Sequence, residues 1–159
     1  MTFEIKQMDT GTVLAISDQD GDRSLQAVRA VESALDAGAP MLRADLRCLD
    51  LSWIGWVLKH PIHDDGGDLR EVVAINADFS SCLLEGCSFV GADLRRAKFP
   101  DSHLSCANFA DADLRGANFN RAKLDGANFM GAKLDGATFV GADLTKAIFD
   151  PGFVWETQA

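Results

Sequence analysis

Ala107-Asn-Phe-Ala-Asp-Ala112-Asp-Leu-Arg-Gly-Ala117-Asn-Phe-Asn-Arg121 repeats its own pattern every five residues, and that period decides the fold. Stepping by five from Phe79 gives Leu84, Phe89, Leu94 and onward to Phe149: fifteen positions at which Phe and Leu alternate without a break. Two residues before each stands a small one, from Ala77 to Ala147; twelve of the fifteen are Ala, and the others are Cys82, Cys87 and Ser102. A period of five fits neither a helix, at about 3.6, nor a strand, at about 2. It suits a chain that turns a corner every five residues. The large and the small residue of each unit then point to the same inner side, and Asp, Asn, Lys, Arg and Gly take the surface and the turns. The expected object is a filled coil with Phe and Leu at its centre.

The units Ala92-Asp-Leu-Arg-Arg96, Ala112-Asp-Leu-Arg-Gly116, Ala117-Asn-Phe-Asn-Arg121, Ala127-Asn-Phe-Met-Gly131 and Ala142-Asp-Leu-Thr-Lys146 resemble the consensus A-(D/N)-L-x-x of the pentapeptide-repeat family. The resemblance covers residues 77–151 and implies an all-β solenoid, a right-handed quadrilateral β-helix with four pentapeptides per coil. Residues twenty apart then share a wall. Phe79, Phe99, Phe119 and Phe139 are expected to stack on one wall and Phe89, Phe109, Phe129 and Phe149 on the opposite one, leaving Leu to the other two. Successive coils should lie ~4.8 Å apart, the spacing of paired strands.

Outside the tract the pattern changes. Residues 1–38 read as a small N-terminal cap: a β-hairpin from weakly alternating Thr2–Met8 and Thr12–Ser17, then an α-helix over Ser24–Ala37 with Leu25, Val28, Val31 and Leu35 at helical spacing. Gly38 and Pro40 stop that helix. A stacked coil exposes its core at its ends, so a lid there has a physical use. Residues 39–56 read as a first pentapeptide coil, through Ala44-Asp-Leu46 and Leu49-Asp-Leu51. Leu46 and Phe79 are out of phase, which places an inserted loop with a register shift at 57–76. Residues 152–159 read as a C-terminal cap in which Phe153, Val154 and Trp155 plug the last coil or meet a second chain; the second arrangement would make a homodimer through the C-terminal end.

The longest apolar stretch, Leu51–Leu58, is far short of the roughly 18–20 residues of a membrane span, and the first residues carry no secretory pattern. No membrane contact and a cytoplasmic location are expected. The net charge of −9 disfavours direct nucleic-acid binding. The four cysteines do not form a disulfide framework, and Cys82 and Cys87 read as small buried groups rather than zinc ligands. His60 and His63, with Asp64, Asp65 and Asp68, read as a solvated loop and as candidate interaction residues, with no metal. No phosphate loop, nucleophile elbow or nucleotide fingerprint appears, so neither an enzyme nor a cofactor is expected.

Two walls carry mixed-sign charges. The wall of Phe89, Phe109 and Phe129 is the least charged, with Val90, Ala110 and Met130 in one outward row beside Ile148. Exposed apolar patches are contact sites more often than chance, so these four residues, with Trp155, are candidate interaction residues. The function expected is a non-enzymatic scaffold for protein–protein interaction. The alternative comes from the family resemblance, since some members mimic DNA and bind DNA gyrase or topoisomerase as inhibitors or drug-protection proteins. Mimicry needs a continuous acidic surface, and residues 77–151 hold ten acidic and eight basic side chains.

Overall fold

A computed structural model describes strands Phe3–Lys6 and Val13–Ser17 and residues 67–154. The two strands, β1 (Phe3–Lys6) and β2 (Val13–Ser17), pair antiparallel with Phe3 opposite Ser17 and an irregularity between Ile5 and Lys6. The helix expected over Ser24–Ala37 and the first coil expected over 39–56 lie outside the described residues.

From Asp68 to Ile148 the chain is a stack of four-sided coils. Parallel bridges join residues twenty apart on every wall: Asp68 to Ser88, Val73 to Asp93, Asp78 to Lys98, Leu83 to His103, and onward to Asn128 with Ile148. The residue before each central Phe or Leu makes the bridge. Its N–H donates to the coil below, as Asn118 does to the Ala97 carbonyl at 3.0 Å. The central residue donates to the coil above, as Phe119 does to Thr138 at 2.7 Å. Each wall is thus a ladder one short segment wide, which is why five residues suffice for a side and a corner.

The corners have one construction. The N–H of the small residue donates to the central carbonyl three residues earlier, as Ala117 does to Leu114 at 2.9 Å. The second corner residue has positive φ at every corner from Glu71 to Lys146. That is the type II pattern, which favours Gly or Asn there. This chain also places Arg96, Asp101, Cys106, Asp111 and Arg121 in it, near +58°. Pro cannot adopt positive φ. Pro151 occupies the next such position, so the turn slides by one residue. Gly152 takes φ +89°, and Phe153 donates to the Asp150 carbonyl at 3.0 Å. The Phe153 ring then lies on Phe149, with centroids 4.9 Å apart.

The Phe/Leu alternation sets the core. Phe79, Phe99, Phe119 and Phe139 stack face to face at 4.8–5.0 Å, and Phe89, Phe109, Phe129 and Phe149 at 5.0–5.1 Å. The two ladders meet edge to face across the axis, as Phe109 and Phe119 do at 5.4 Å and 79°. Opposite walls therefore touch through their rings, and Leu fills the two remaining sides. Each such burial contributes about 1.5–3 kcal/mol before chain entropy is subtracted. Ser102, the polar exception at the inner small position, is fully buried, and its hydroxyl donates to the Phe99 carbonyl at 2.6 Å.

One boundary moves. Residues 67–76, expected within the inserted loop, are coil: Asp68 and Val73 make wall bridges, and Leu69, Val72 and Ala74 are buried. Leu69 continues the progression of large residues. The next unit reverses the usual sizes, with Val72 in the small place and Ala74 in the large one. Both side chains of the pair are buried, so the unit keeps its place in the core while hiding its pattern. The two ends of the stack also differ. Leu69, Ala74, Phe79 and Leu84 are buried in the first described coil, whereas Leu134, Phe139, Leu144 and Phe149 are partly exposed in the last.

Candidate interaction surface

Hydrogen-bond chemistry distinguishes the four walls. On the Leu114 wall, Asp93 and Asp113 each hold the Arg two residues on in a two-point fork, Arg95 at 2.7–2.8 Å and Arg115 at 2.6–2.8 Å. The hydrogen bond from Arg115 holds the Asp113 carboxyl below the usual carboxylate range against partial burial. Arg70 does the same to Asp68. On the Phe119 wall the pairs run between coils. Arg121 forks onto Asp101 at 2.7 Å and lowers its pKa, and Lys98 reaches Asp78 at 3.3 Å. Partial burial works to raise the Asp78 pKa, but hydrogen bonds from Ser80 and Lys98 leave it lowered. The Leu104 wall carries His103 3.6 Å from Glu85. There the Thr145 hydroxyl and N–H hold the Asp143 carboxyl down.

The Phe109 wall is built differently. From Ser88 upward, its described residues form no ion pair. Asn108 and Asn128 take the place that Asp93 and Asp113 hold on the Leu114 wall, and each side-chain oxygen accepts the N–H two residues on, from Ala110 at 3.0 Å and Met130 at 3.1 Å, as Asn118 accepts that of Asn120 on the Phe119 wall. The Asn128 amide also donates to Asn108 at 3.2 Å, tying successive coils. These bonds hold Ala110 and Met130 at one corner, with Val90 in the same row one coil below Ala110. Backbone bonds fix the vertical spacing, Gly91 to the Ala110 carbonyl at 3.0 Å and Asp111 to that of Met130 at 2.9 Å.

The four wall candidates of the sequence reading thus fall on one surface. Val90 and Ala110 are half-buried, Met130 is 39% exposed and Ile148 51%. Beside them, Gly131 has φ +71°, and a Cβ there would meet the Asp111 carboxylate. The Asp150 carboxylate accepts the Gly131 N–H at 2.9 Å, so this edge of the wall is held by neighbouring coils. His60, His63, Asp64 and Trp155 lie outside the described residues. Val140, 61% exposed on the Phe119 wall, was missed by reading charge wall by wall. Its signal was available, because it holds the same corner place as Met130, one residue after a central Phe.

Among the described residues no group of three His, Cys, Asp or Glu side chains comes together as a metal site. Cys82 and Cys87 are buried and Cys106 is exposed. Burial pushes the Cys87 thiol up to about 11, and the Gly67 N–H donates to its sulfur at 3.3 Å. A thiol reagent should therefore modify Cys106 in the native protein. Cys82 and Cys87 should react only on unfolding, since a buried thiol is a poor source of thiolate. Peptide mapping after a labelling pulse checks this, and modification of Cys87 as fast as Cys106 would contradict it.

The pentapeptide-repeats family model matches residues 66–101, 77–116, 101–129 and 112–150, together more than half of the chain. No curated protein matches. Solved structures resemble the chain at low identity. A trypsin-treated variant of QnrB1, a plasmid-mediated fluoroquinolone resistance protein, shares 25% identity with a TM-score of 0.47, covering 50% of this chain and 42% of that one. A pentapeptide repeat protein of the Arabidopsis thaliana thylakoid lumen shares 23% with a TM-score of 0.43, covering 72% and 63%. HetL, a pentapeptide repeat protein involved in heterocyst differentiation regulation from Nostoc, shares 27% with a TM-score of 0.37, covering 70% and 43%. The chain therefore spans less than two thirds of the length of each.

Proposed function

The chain belongs to the pentapeptide-repeat family, with its right-handed quadrilateral β-helix, and on that premise we propose that it is a non-enzymatic scaffold for protein–protein interaction, with the Phe109 wall as its contact surface. Pentapeptide-repeat proteins are generally non-catalytic scaffolds. The observation that carries the reading is the contrast between walls. Arg and Lys hold carboxylates on the Leu114 and Phe119 walls, whereas from Ser88 upward the Phe109 wall offers Val90, Ala110, Met130 and Ile148, with Asn hydrogen bonds holding the Ala110 and Met130 backbone. A partner that meets this wall gains apolar burial without breaking charge pairs, and it meets a surface that needs little ordering.

The alternative reading, a DNA-mimicking gyrase binder, finds less support on the described walls. Asp68, Asp93, Asp101 and Asp113 each hold an Arg, and Asp78 holds a Lys, so their charge is neutralised in place. The test compares partner capture by Met130→Arg with capture by Lys123→Glu, a change on the Leu104 wall, with gyrase among the proteins offered. The Met130 change should abolish capture and leave melting within about 0.5 kcal/mol of the parent, the usual range for surface substitutions. Loss with Lys123→Glu but not Met130→Arg would move the contact to a charged wall and overturn the assignment.

A further inference from the structure

Two Asp-Gly pairs lie among the described residues, Asp125-Gly126 and Asp135-Gly136, and they occupy equivalent corners two units apart. Their glycines have nearly the same backbone, φ +67° and +69°. Their surroundings differ. The Gly126 N–H donates to the Thr145 carbonyl at 2.8 Å, and a Cβ on Gly126 would lie 3.4 Å from the Cys106 sulfur. Gly136 belongs to the last described coil. Its N–H has no acceptor among the described residues, and the nearest atoms to a Cβ there are those of Gly116 at 3.9 Å. Asp135 and Gly136 are both exposed, whereas Asp125 and Gly126 are half-buried.

We propose that Asp135-Gly136 is a modification site at which the chain isomerises to isoaspartate. The Gly136 backbone nitrogen, which no side chain of the described residues shields, loses its proton to solvent and attacks the Asp135 carboxyl carbon. A nitrogen–carbon bond forms and the carboxyl hydroxyl leaves as water, giving a five-membered succinimide. Water then adds to one of the two ring carbonyls. Cleavage at the α-carbonyl carbon leaves the chain running through the side-chain carbon and frees an α-carboxylate. One water leaves and one enters, so no oxidant, reductant or cofactor is needed. Attack requires the nitrogen to give up any hydrogen bond and the corner to rotate; of these two glycines, Gly136 begins without a hydrogen bond to a described acceptor, whereas Gly126 must break one.

The product adds one carbon to the backbone between Leu134 and Gly136. That spoils the five-residue spacing at this corner while the coils below keep theirs. Trypsin separates the two sites, because Asp125 falls in the peptide 124–133 and Asp135 in 134–146. The full-length folded protein is stored in heavy-oxygen water at mildly acidic pH, where the carboxyl can lose its hydroxyl as water, and then digested. Heavy oxygen and a shifted isomer should accumulate at Asp135 about tenfold faster than at Asp125, the order of effect of one retained backbone hydrogen bond plus burial. In denaturant the two rates should converge. In the folded state, Asp135→Glu, which cannot close the five-membered ring, should remove the signal from 134–146 without changing the melt. Equal rates at the two sites in the folded protein, or a faster rate at Asp125, would overturn the proposal.

Discussion

Phe119→Ala should lower the stability of the folded chain by about 3–5 kcal/mol, read from denaturant midpoints with the slope unchanged. Phe119 is fully buried. Its ring stacks on Phe99 at 4.8 Å and on Phe139 at 5.0 Å, and it meets Phe109 and Phe129 edge to face at 5.4 and 5.8 Å. Truncation empties the centre of a coil whose backbone is held above and below, by the Phe119 N–H to Thr138 and the Lys123 N–H to Ser102. The walls cannot collapse inward without breaking those ladders, so the cavity stays and its cost is near the upper range. Phe149→Ala is the control. It stacks on Phe129 and Phe153 but is already partly exposed, and its loss should cost well under half as much. Equal costs at the two positions would mean that the core is not graded from the middle of the stack to its end.

This contrast shows how the sequence carries the fold. Phe at every tenth position and Leu between them state the wall assignment in full, because a coil of twenty residues puts like on like. The corner rule is also visible, since small residues recur where the chain must pass close to the core. What was hidden is instructive. Val72 and Ala74 exchange their usual sizes, so a reader of residue type misses a unit that the available volume accepts. The one-residue slide of the turn at Pro151-Gly152 and the stacking of Phe153 on Phe149 depend on Pro being barred from positive φ. The candidate surface was legible as low charge and an outward apolar row, Val90, Ala110 and Met130. That Asn108 and Asn128 tie the backbone of Ala110 and Met130 and each other across successive coils needs the geometry, because Asn and Asp satisfy the same repeat pattern.

Removing one residue should damage this protein more than removing twenty. Deletion of 100–119 joins Phe99 to Asn120 and keeps every later residue in its place within the five-residue unit, because walls repeat at a spacing of twenty. One coil disappears and the next stacks on the coil before it, Phe139 over Phe99 and Leu124 over Leu84. In a solenoid, stability is roughly a sum over coils and their interfaces. The shortened chain should therefore fold cooperatively with a lower midpoint and a smaller denaturant slope, in proportion to the surface it no longer buries. Deleting Arg115 alone shifts everything after it by one place. The central positions would then fall to Asn120, Asp125, Met130 and Asp135, and the inner small positions to Asn118, Lys123, Asn128 and Lys133. Burying a single unpaired charge costs several kcal/mol, more than one coil's Leu and Phe return. The chain beyond 115 would have to leave the stack or bulge at the corner to recover its phase. Circular dichroism melts and limited proteolysis of the two deletions distinguish these fates. The long deletion should give one protected core, and the short one should lose protection after residue 115. A single-residue deletion melting like the parent would mean that the corners absorb a shift, and that the five-residue period is a preference of the sequence rather than a requirement of the coil.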